Sequence, residues 1–529
     1  MSMRPGSAAV LCALWLMLLL SAWLTRPLVP VDETRYVAVA WEMWQRGDFL
    51  LPYLNGTPYS HKPPVFFWLI HVGWWLFGVN AWWPPLVGAL AALGALFATA
   101  HLAGLLWPDD TTPRRLVAWI LFAGVFWAAF YSWVQIDMLL VLAGVLAMVG
   151  LVRAARGEAA GWWLTGLCIG LGVLAKGPVM LLLVLPVALL APLWAAPRPR
   201  VRWLAWYGGV GFSALCGAVI ALAWALPAAQ AGGAAYQEAL LWGQTAERLV
   251  QSFAHARPWW WYLPWVPLLL APWVLLPWVW QGLRTAARKP DAGWRFCLCW
   301  LLPPLLLLSL VSGKQVKYLL PLLPAAALLI ARGVSEISGQ RVLPRPWLLA
   351  AAVFTAGLAL AVAPGLLQAA PWLADIHPAW GAGIMAVAAG LVVLKPLARD
   401  HYPPFMALLV VCVLGLFQLG VFGPAAPAYD LRAASRLLAT AQAAGRPVAN
   451  LAPYHGQFHF YGRLRQPLVS LSPEQAMVWA RSHPDGYLVA YYQDAARNAP
   501  GAVFVQPYRG GSLTVWEGGT IAAHPDVLP

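Results

Sequence analysis

Apolar runs long enough to span a bilayer, about 17–25 residues each, recur along most of the chain with short polar stretches between them. The first, Ala8–Leu24, follows Arg4. No small-x-small cleavage pattern follows it, which predicts a retained transmembrane helix rather than a signal peptide. Further runs centre on Ala92, Ala123, Val145, Leu167, Leu185, Ala214, Leu270, Leu305, Ala325, Leu358, Val387 and Val410. The pattern predicts about thirteen transmembrane helices. Val65–Phe77 is apolar but short, and predicts a helix lying in the interface.

The pattern changes near Ala425. Tyr429–Ala444 has helical apolar spacing, while Val448–Leu451, Tyr487–Tyr492, Val503–Gln506 and Ser512–Trp516 read as short strands between turn residues. The expected fold class is a polytopic α-helical membrane protein, residues 1–424, with a small C-terminal α/β domain, residues 425–529.

Composition agrees. Of 529 residues, 61% are hydrophobic and 10% are charged, against roughly 25% charged in soluble proteins. Mean hydropathy is +0.66. Soluble globular, disordered, collagen-like and coiled-coil classes are excluded. The six cysteines all lie in apolar runs without a CxxC pair, so they read as small hydrophobes. Neither a Walker A sequence nor a dinucleotide fingerprint occurs, which argues against a nucleotide-driven engine.

Net charge is +14, but the bases sit between apolar runs, so membrane topology explains them better than nucleic acid does. Arg114–Arg115, Arg153/Arg156, Arg198/Arg200/Arg202, Arg284/Arg288/Lys289/Arg295, Arg332/Arg341/Arg345 and Lys395/Arg399 fall in alternate loops, on the side of Arg4. By the positive-inside rule that side is cytoplasmic and the C-terminal domain lies outside. In a bacterial inner membrane this means a periplasmic domain. Two long outer loops follow, residues 26–64 and 227–262, the second ending in the aromatic run Trp259–Tyr262.

Candidate chemistry gathers in these outer loops. Asp32-Glu33-Thr34-Arg35-Tyr36 sets a carboxylate pair beside an arginine just outside the first helix. Asp32 suits a general base, although the segment reads equally well as a solvated loop capping a helix. A second cluster runs from Asn55 through Tyr59 and His61 to Lys62-Pro63-Pro64, where Lys62 either grips a lipid phosphate or snorkels. Asp137 and Lys176 are costly in apolar runs, and either serve the site or form a structural pair. Arg248, His255 and Arg257, with Lys314, Lys317 and Tyr318, complete a ring of cations round one outer cavity. Such a ring suits a polyprenyl phosphate or another anionic lipid. His61 and His255 are candidate ligands for a divalent metal, though no metal-ligand spacing supports them; the expectation is that no cofactor is required.

Asp32-Glu33-Thr34-Arg35-Tyr36, Gly47-Asp48-Phe49, Asn55-Gly56, Tyr59 and Lys62-Pro63-Pro64 together resemble the first outer loop of the GT-C membrane glycosyltransferases. The protein-mannosyltransferase-like group, near the 4-amino-4-deoxy-L-arabinose lipid A transferases, is the best fit. The resemblance continues through Asp137, Leu174–Pro178, Arg248…His255…Pro258-Trp259 and Lys314…Lys317-Tyr318. It implies an enzyme that moves a sugar from a polyprenyl-phosphate donor to a lipid A or other envelope acceptor, with inversion. Asp32, with Glu33, would be the catalytic carboxylate. Lys62, Lys176, Arg248, Arg257, Lys314 and Lys317 would hold the donor phosphate, and Arg35, Tyr36, Tyr59, Asp137 and Tyr318 would line the cavity. His61 stands where the lipid A aminosugar enzymes often carry a glutamate, a departure that bears on both metal and sugar. The alternatives are a protein O-glycosyltransferase of the same fold, or a transporter; against the latter, no inverted repeat is evident and the charges gather at one face.

Overall fold

The structure, a computed structural model, describes residues 5–195, 203–241, 243, 256–337, 342–367, 370–493 and 501–529. Among these, eight helices are long and apolar enough to cross a membrane, and four shorter apolar helices accompany them: Val65–Phe77, Ala160–Lys176, Val179–Leu189 and Ala379–Val393. In chain order the first nine helices are α1 (Pro5–Thr25), α2 (Asp32–Arg46), α3 (Val65–Phe77), α4 (Trp83–Leu106), α5 (Thr111–Phe122), α6 (Val125–Phe130), α7 (Asp137–Ala155), α8 (Ala160–Lys176) and α9 (Val179–Leu189).

Two of the expected span centres fall on breaks instead. Ala123 caps α5, and Gly124 turns extended before α6 begins. Leu270 caps a four-residue helix, in a stretch where Pro264, Pro267, Pro272 and Pro277 follow one another. Each proline removes a backbone donor and crowds the preceding turn, so no continuous helix can form there. The helices that do form pack closely where side chains are smallest. A Cβ added at Gly161 of α8 would lie 2.4 Å from the Gly150 carbonyl of α7. The helices Trp347–Leu366 and Ala379–Val393 approach in the same way, through Gly357 and Gly381.

The arginine-rich loops converge on one end of the bundle. Arg332 donates to Asp291 (2.8 Å) and Asp110 (3.4 Å) and pairs with Glu336 (2.5 Å). Asp291 and Asp110 are themselves helix N-caps, accepting from the backbone N–H of Trp294 and Thr112. Arg115 pairs with Asp400. Lys317 precedes the helix Leu323–Glu336 that carries Arg332 near its end, so the candidate chemistry around Lys317 and the arginine network stand at opposite ends of that helix.

The C-terminal part forms a five-stranded mixed sheet of order β6-β5-β7-β9-β8. Two short strand pairs precede it: β1 (Tyr53–Leu54) with β2 (Thr57–Pro58), and β3 (Val342–Leu343) with β4 (Leu397–Ala398). In the sheet itself, β5 (Val448–Leu451) runs parallel to β6 (Val469–Leu471) and β7 (Tyr487–Tyr492). β9 (Gly511–Glu517) is antiparallel to β7 and to β8 (Phe504–Tyr508). β6 has no counterpart among the expected strands, being three residues long. Both faces are covered: Val448, Val489 and Val515 pack with the helix Arg432–Ala443, whereas Ala449, Leu488 and Trp516 pack with the helix Pro473–Ser482. That alternation follows the two-residue period of a strand.

Arg332 joins two carboxylates that cap other helices to one on its own helix. Arg332→Met should therefore lower the stability of the detergent-solubilised protein by about 1–3 kcal/mol, read as a fall in apparent unfolding temperature. An unchanged transition would mark the network as screened surface pairing.

Candidate active site

Asp32 and Glu33 open α2, where the helix N-terminus favours negative charge. One turn of helix points them in different directions. Glu33 is 1% exposed and saturated. Its Oε1 accepts from the Val134 N–H (2.6 Å), and its Oε2 accepts from the Val29 N–H (2.7 Å) and from Arg26 Nη1 (2.5 Å). Arg26 also donates to the Ser132 carbonyl and lies over the Trp133 ring. Glu33 is thus a buried staple between the segment entering α2 and the segment entering α7, and the expectation that it shares catalysis is corrected.

The Asp32 side chain, by contrast, is part-exposed. Its carboxylate pairs with Arg35 one turn on and accepts from Lys317 Nζ at 3.2 Å. Lys317 also reaches Gln135 Oε1 at 3.4 Å. Burial alone would raise the Asp32 pKa, but Lys317, Arg35 and Lys62 together hold it below its ordinary 3.8. Asp32 is therefore a carboxylate kept ionised by three cations from separate parts of the chain.

Asp137 and Lys176 form a buried pair behind this group. Lys176 ends α8, where Gly177 adopts φ +84° and Pro178 starts the next helix, so the Ala175–Pro178 stretch is a helix stop that aims an ammonium at Asp137. Lys176 Nζ also lies 4.4 Å from the centre of the Tyr318 ring. Its charge is already matched, so it serves as a counter-ion at the cavity floor rather than as an open phosphate ligand. Asp137 is likewise buried beneath the surface of the cavity, not lining it. Lys314 is further from its expected role. It is 3% exposed, and its ammonium donates to the carbonyls of Arg257 (2.9 Å) and Val311 (2.5 Å). It braces two outer segments and is not presented to a ligand, whereas Arg257 itself is exposed.

Asn55-Gly56 turns the β1–β2 hairpin with φ +53° and +82°, the positive values that a two-residue turn needs. Both of its N–H groups donate to the buried carboxylate of Glu42. The hairpin leads to Tyr59, whose buried ring sits 5.1 Å from that of the exposed His61. Lys62 and the two prolines then start α3, within electrostatic reach of both Asp32 and Asp137. Tyr36 is buried, edge-on to Phe66, and forms wall rather than lining. Arg248 and His255 lie outside the described residues. Among the described residues no three His, Cys, Asp or Glu side chains gather where a metal could be held.

Sequence reasoning missed the part played by the C-terminal domain. Trp41 Nε1 of α2 donates to the Leu464 carbonyl (3.0 Å). Asn55 exchanges hydrogen bonds with the Leu468 backbone (2.9 and 2.8 Å), and the Leu28 N–H donates to the Tyr461 hydroxyl (3.0 Å). Phe460 stacks on Trp74 of α3 at 5.5 Å. These contacts join positions more than 380 residues apart in the chain, and no local pattern announces them.

Residues 61–227 match the family model described as dolichyl-phosphate-mannose-protein mannosyltransferase. The chain is 34% identical over 312 residues to the undecaprenyl phosphate-alpha-4-amino-4-deoxy-L-arabinose arabinosyl transferase 1 of Pseudomonas fluorescens. It is 31% identical over 334 residues to the corresponding transferase of Pectobacterium atrosepticum. The chain thus resembles these transferases over little more than half of their length. The matched stretches cover 56% and 61% of this chain, and 54% and 58% of those relatives. The crystal structure of ArnT from Cupriavidus metallidurans bound to undecaprenyl phosphate superposes with a TM-score of 0.77, over 97% of this chain and 98% of that one, at 18% identity. The apo form of the same protein gives 0.74. The fold of that protein therefore extends over nearly all of this chain, C-terminal sheet included.

Two outcomes test this geometry. Glu33→Ala breaks a buried, saturated ion pair and should cost about 3–5 kcal/mol of stability, seen as a large fall in apparent unfolding temperature, while Asp32→Asn should leave that temperature nearly unchanged. Lys317→Met removes a cation that favours the Asp32 carboxylate, so burial gains weight and the pKa rises. If Asp32 is the base of a reaction, the acid limb of the pH–rate profile should then move to higher pH. A limb that stays in place would detach Lys317 from Asp32.

Proposed function

We propose that the protein transfers a sugar from a polyprenyl-phosphate-linked donor to an acceptor at the membrane face, lipid A being the first candidate. The observation that carries the reading is the part-exposed Asp32 carboxylate, held ionised by Arg35 and Lys317 at the end of the bundle away from the arginine network. The names of the relatives at 31–34% identity support the same donor class.

The chemistry follows from charge. Asp32 accepts the proton of the acceptor nucleophile as that oxygen attacks the anomeric carbon. The sugar–phosphate bond breaks on the far side, so configuration inverts. Negative charge grows on the departing lipid phosphate, where Lys62, Lys317 and Arg257 supply fixed positive charge. Lys62 is the strongest candidate for direct phosphate contact. Pro63 and Pro64 restrict its backbone at the start of an interfacial helix, level with lipid headgroups. The reading requires no cofactor, and no step runs through a metal.

The orientation belongs to the same proposal. The arginine loops face the cytoplasm, the N-terminus with them, and the C-terminal sheet faces the periplasm of a bacterial inner membrane. A lipid-carried donor fits that side, where nucleotide sugars are not available.

In purified enzyme supplied with undecaprenyl-phosphate-linked aminoarabinose and lipid A, Asp32→Asn should nearly abolish transfer while still binding undecaprenyl phosphate. Lys62→Ala should weaken that binding about ten- to a hundred-fold, the worth of one charge-assisted contact. Mass spectrometry of lipid A from deletion and complemented cells provides the cellular check. Near-normal turnover by Asp32→Asn would overturn the mechanism. Transfer to another acceptor, with lipid A unmodified, would redirect the substrate assignment.

A further inference from the structure

The C-terminal domain sets one loop against the helix that carries Asp32, and that loop is built with unusual care. It follows the parallel strand β5 and runs from Ala452 to Phe458. Ala452 holds φ +82° without being glycine, and Gly456 holds φ +79°. Backbone in this region is costly for a residue with a Cβ and persists only where surrounding structure enforces it. The enforcement is visible. Buried Asn450 donates from Nδ2 to the carbonyls of Ala452 (2.9 Å) and Leu451 (3.2 Å). Its Oδ1 accepts from the Tyr491 hydroxyl (2.6 Å), and that hydroxyl accepts from Gln457 Nε2 (2.8 Å). Gln457 Oε1 closes the circuit by accepting from the His455 N–H (3.1 Å).

Three polar side chains are thus committed to the shape of a loop whose outward side chains are Pro453 and His455. The loop also lies directly on α2. A Cβ at Gly456 would sit 2.9 Å from Ala38 Cβ and 2.7 Å from Leu54 Cδ1. Ala38 is three residues beyond Arg35, on the same helix face. The exposed His455 imidazole is accordingly within electrostatic reach of Arg35, of Asp32, and of Arg509 in the β8–β9 turn. Burial of the loop, with Arg35 and Arg509 nearby, holds the His455 pKa below its usual 6.5. A neutral ring of this kind can donate from one nitrogen and accept at the other.

We propose that His455 is an acceptor-binding residue of the Asp32 site, supplied by the C-terminal domain and assisted by Arg509 in holding an anionic acceptor headgroup. The proposal rests on the transferase reading above. The elements they come from distinguish acceptor from donor. His455 and Arg509 belong to the C-terminal sheet domain, whereas Lys62 and Lys317, which flank Asp32, belong to segments leading into helices of the apolar bundle.

The test uses full-length purified protein, diphosphorylated lipid A as acceptor, and undecaprenyl phosphate as the donor-site probe. His455→Ala and Arg509→Gln should each raise the KM for lipid A about five- to fifty-fold. Undecaprenyl phosphate affinity and the thermal unfolding transition should stay within experimental error of wild type. His455→Gln, which keeps a donor and an acceptor, should recover most of the loss. Unchanged KM in His455→Ala overturns the proposal. So does a fall in undecaprenyl phosphate affinity matching the kinetic loss, which would assign the loop to the donor. Failure of the transferase reading shows separately, as wild-type protein that neither binds undecaprenyl phosphate nor modifies lipid A, and it removes the His455 assignment as well.

Discussion

The arrangement of the cavity depends on one buried ion pair, Arg26–Glu33. Glu33 ties the first residues of α2 to the segment that enters α7, through Val29, Val134 and Arg26. Asp32 precedes it on α2, and Gln135 and Asp137 follow Val134 on the other segment. Moving the staple would move all three. A charge so fully desolvated persists only if each lone pair finds a partner, and here the partners come from two segments about a hundred residues apart. The residue beside the candidate base thus fixes the start of the helix that carries the base.

Cations are distributed according to the same logic. At the arginine-rich end, Arg332 balances Asp110, Asp291 and Glu336 and locks the helix termini together. At the cavity end, Lys176 is matched by Asp137 and Lys314 by backbone carbonyls. The remaining positive charge of Lys62, Arg35 and Lys317 gathers around the part-exposed Asp32 carboxylate. A cavity with that balance attracts an anion, and it keeps a base ionised next to the site where negative charge would leave on a phosphate. The ring read from the sequence is therefore divided: some members hold the walls, and fewer face the ligand.

The C-terminal domain belongs to this site as much as the membrane helices do. It clamps α2 through Trp41 and holds the β1–β2 hairpin through Asn55, and its Phe460 ring stacks on α3. Glu42, buried under that clamp, has its pKa raised by burial, with the hairpin N–H groups opposing the rise. His459 across the interface is pushed down to about 4 by burial. The two side chains lie 3.8 Å apart, so the interface sets a buried carboxyl group beside an imidazole that is neutral at neutral pH. The sheet is joined to the helices by specific polar contacts as well as by apolar area.

Much was legible in the chain because the signals are local. Apolar runs mark helices since a bilayer leaves the backbone no other partner, and the alternation of bases marks one end of the bundle. Asn55-Gly56 and Gly177-Pro178 carry the backbone geometry of their turns in their residue types, and the motif around Asp32 singled out a segment where charged side chains of distant elements meet. Tertiary structure decided what each charge does. Asp32 and Glu33 are adjacent and chemically alike, yet a helix turns consecutive side chains about 100° apart, so one meets a cavity and the other a wall. Lys176, Lys314 and Lys317 read alike in sequence, but only the partners brought by folding tell a counter-ion and a brace from a cation beside the carboxylate. The loop bearing His455 shows no motif, because its geometry is held by side chains from β5 and β7 and its neighbour is a helix more than 400 residues earlier.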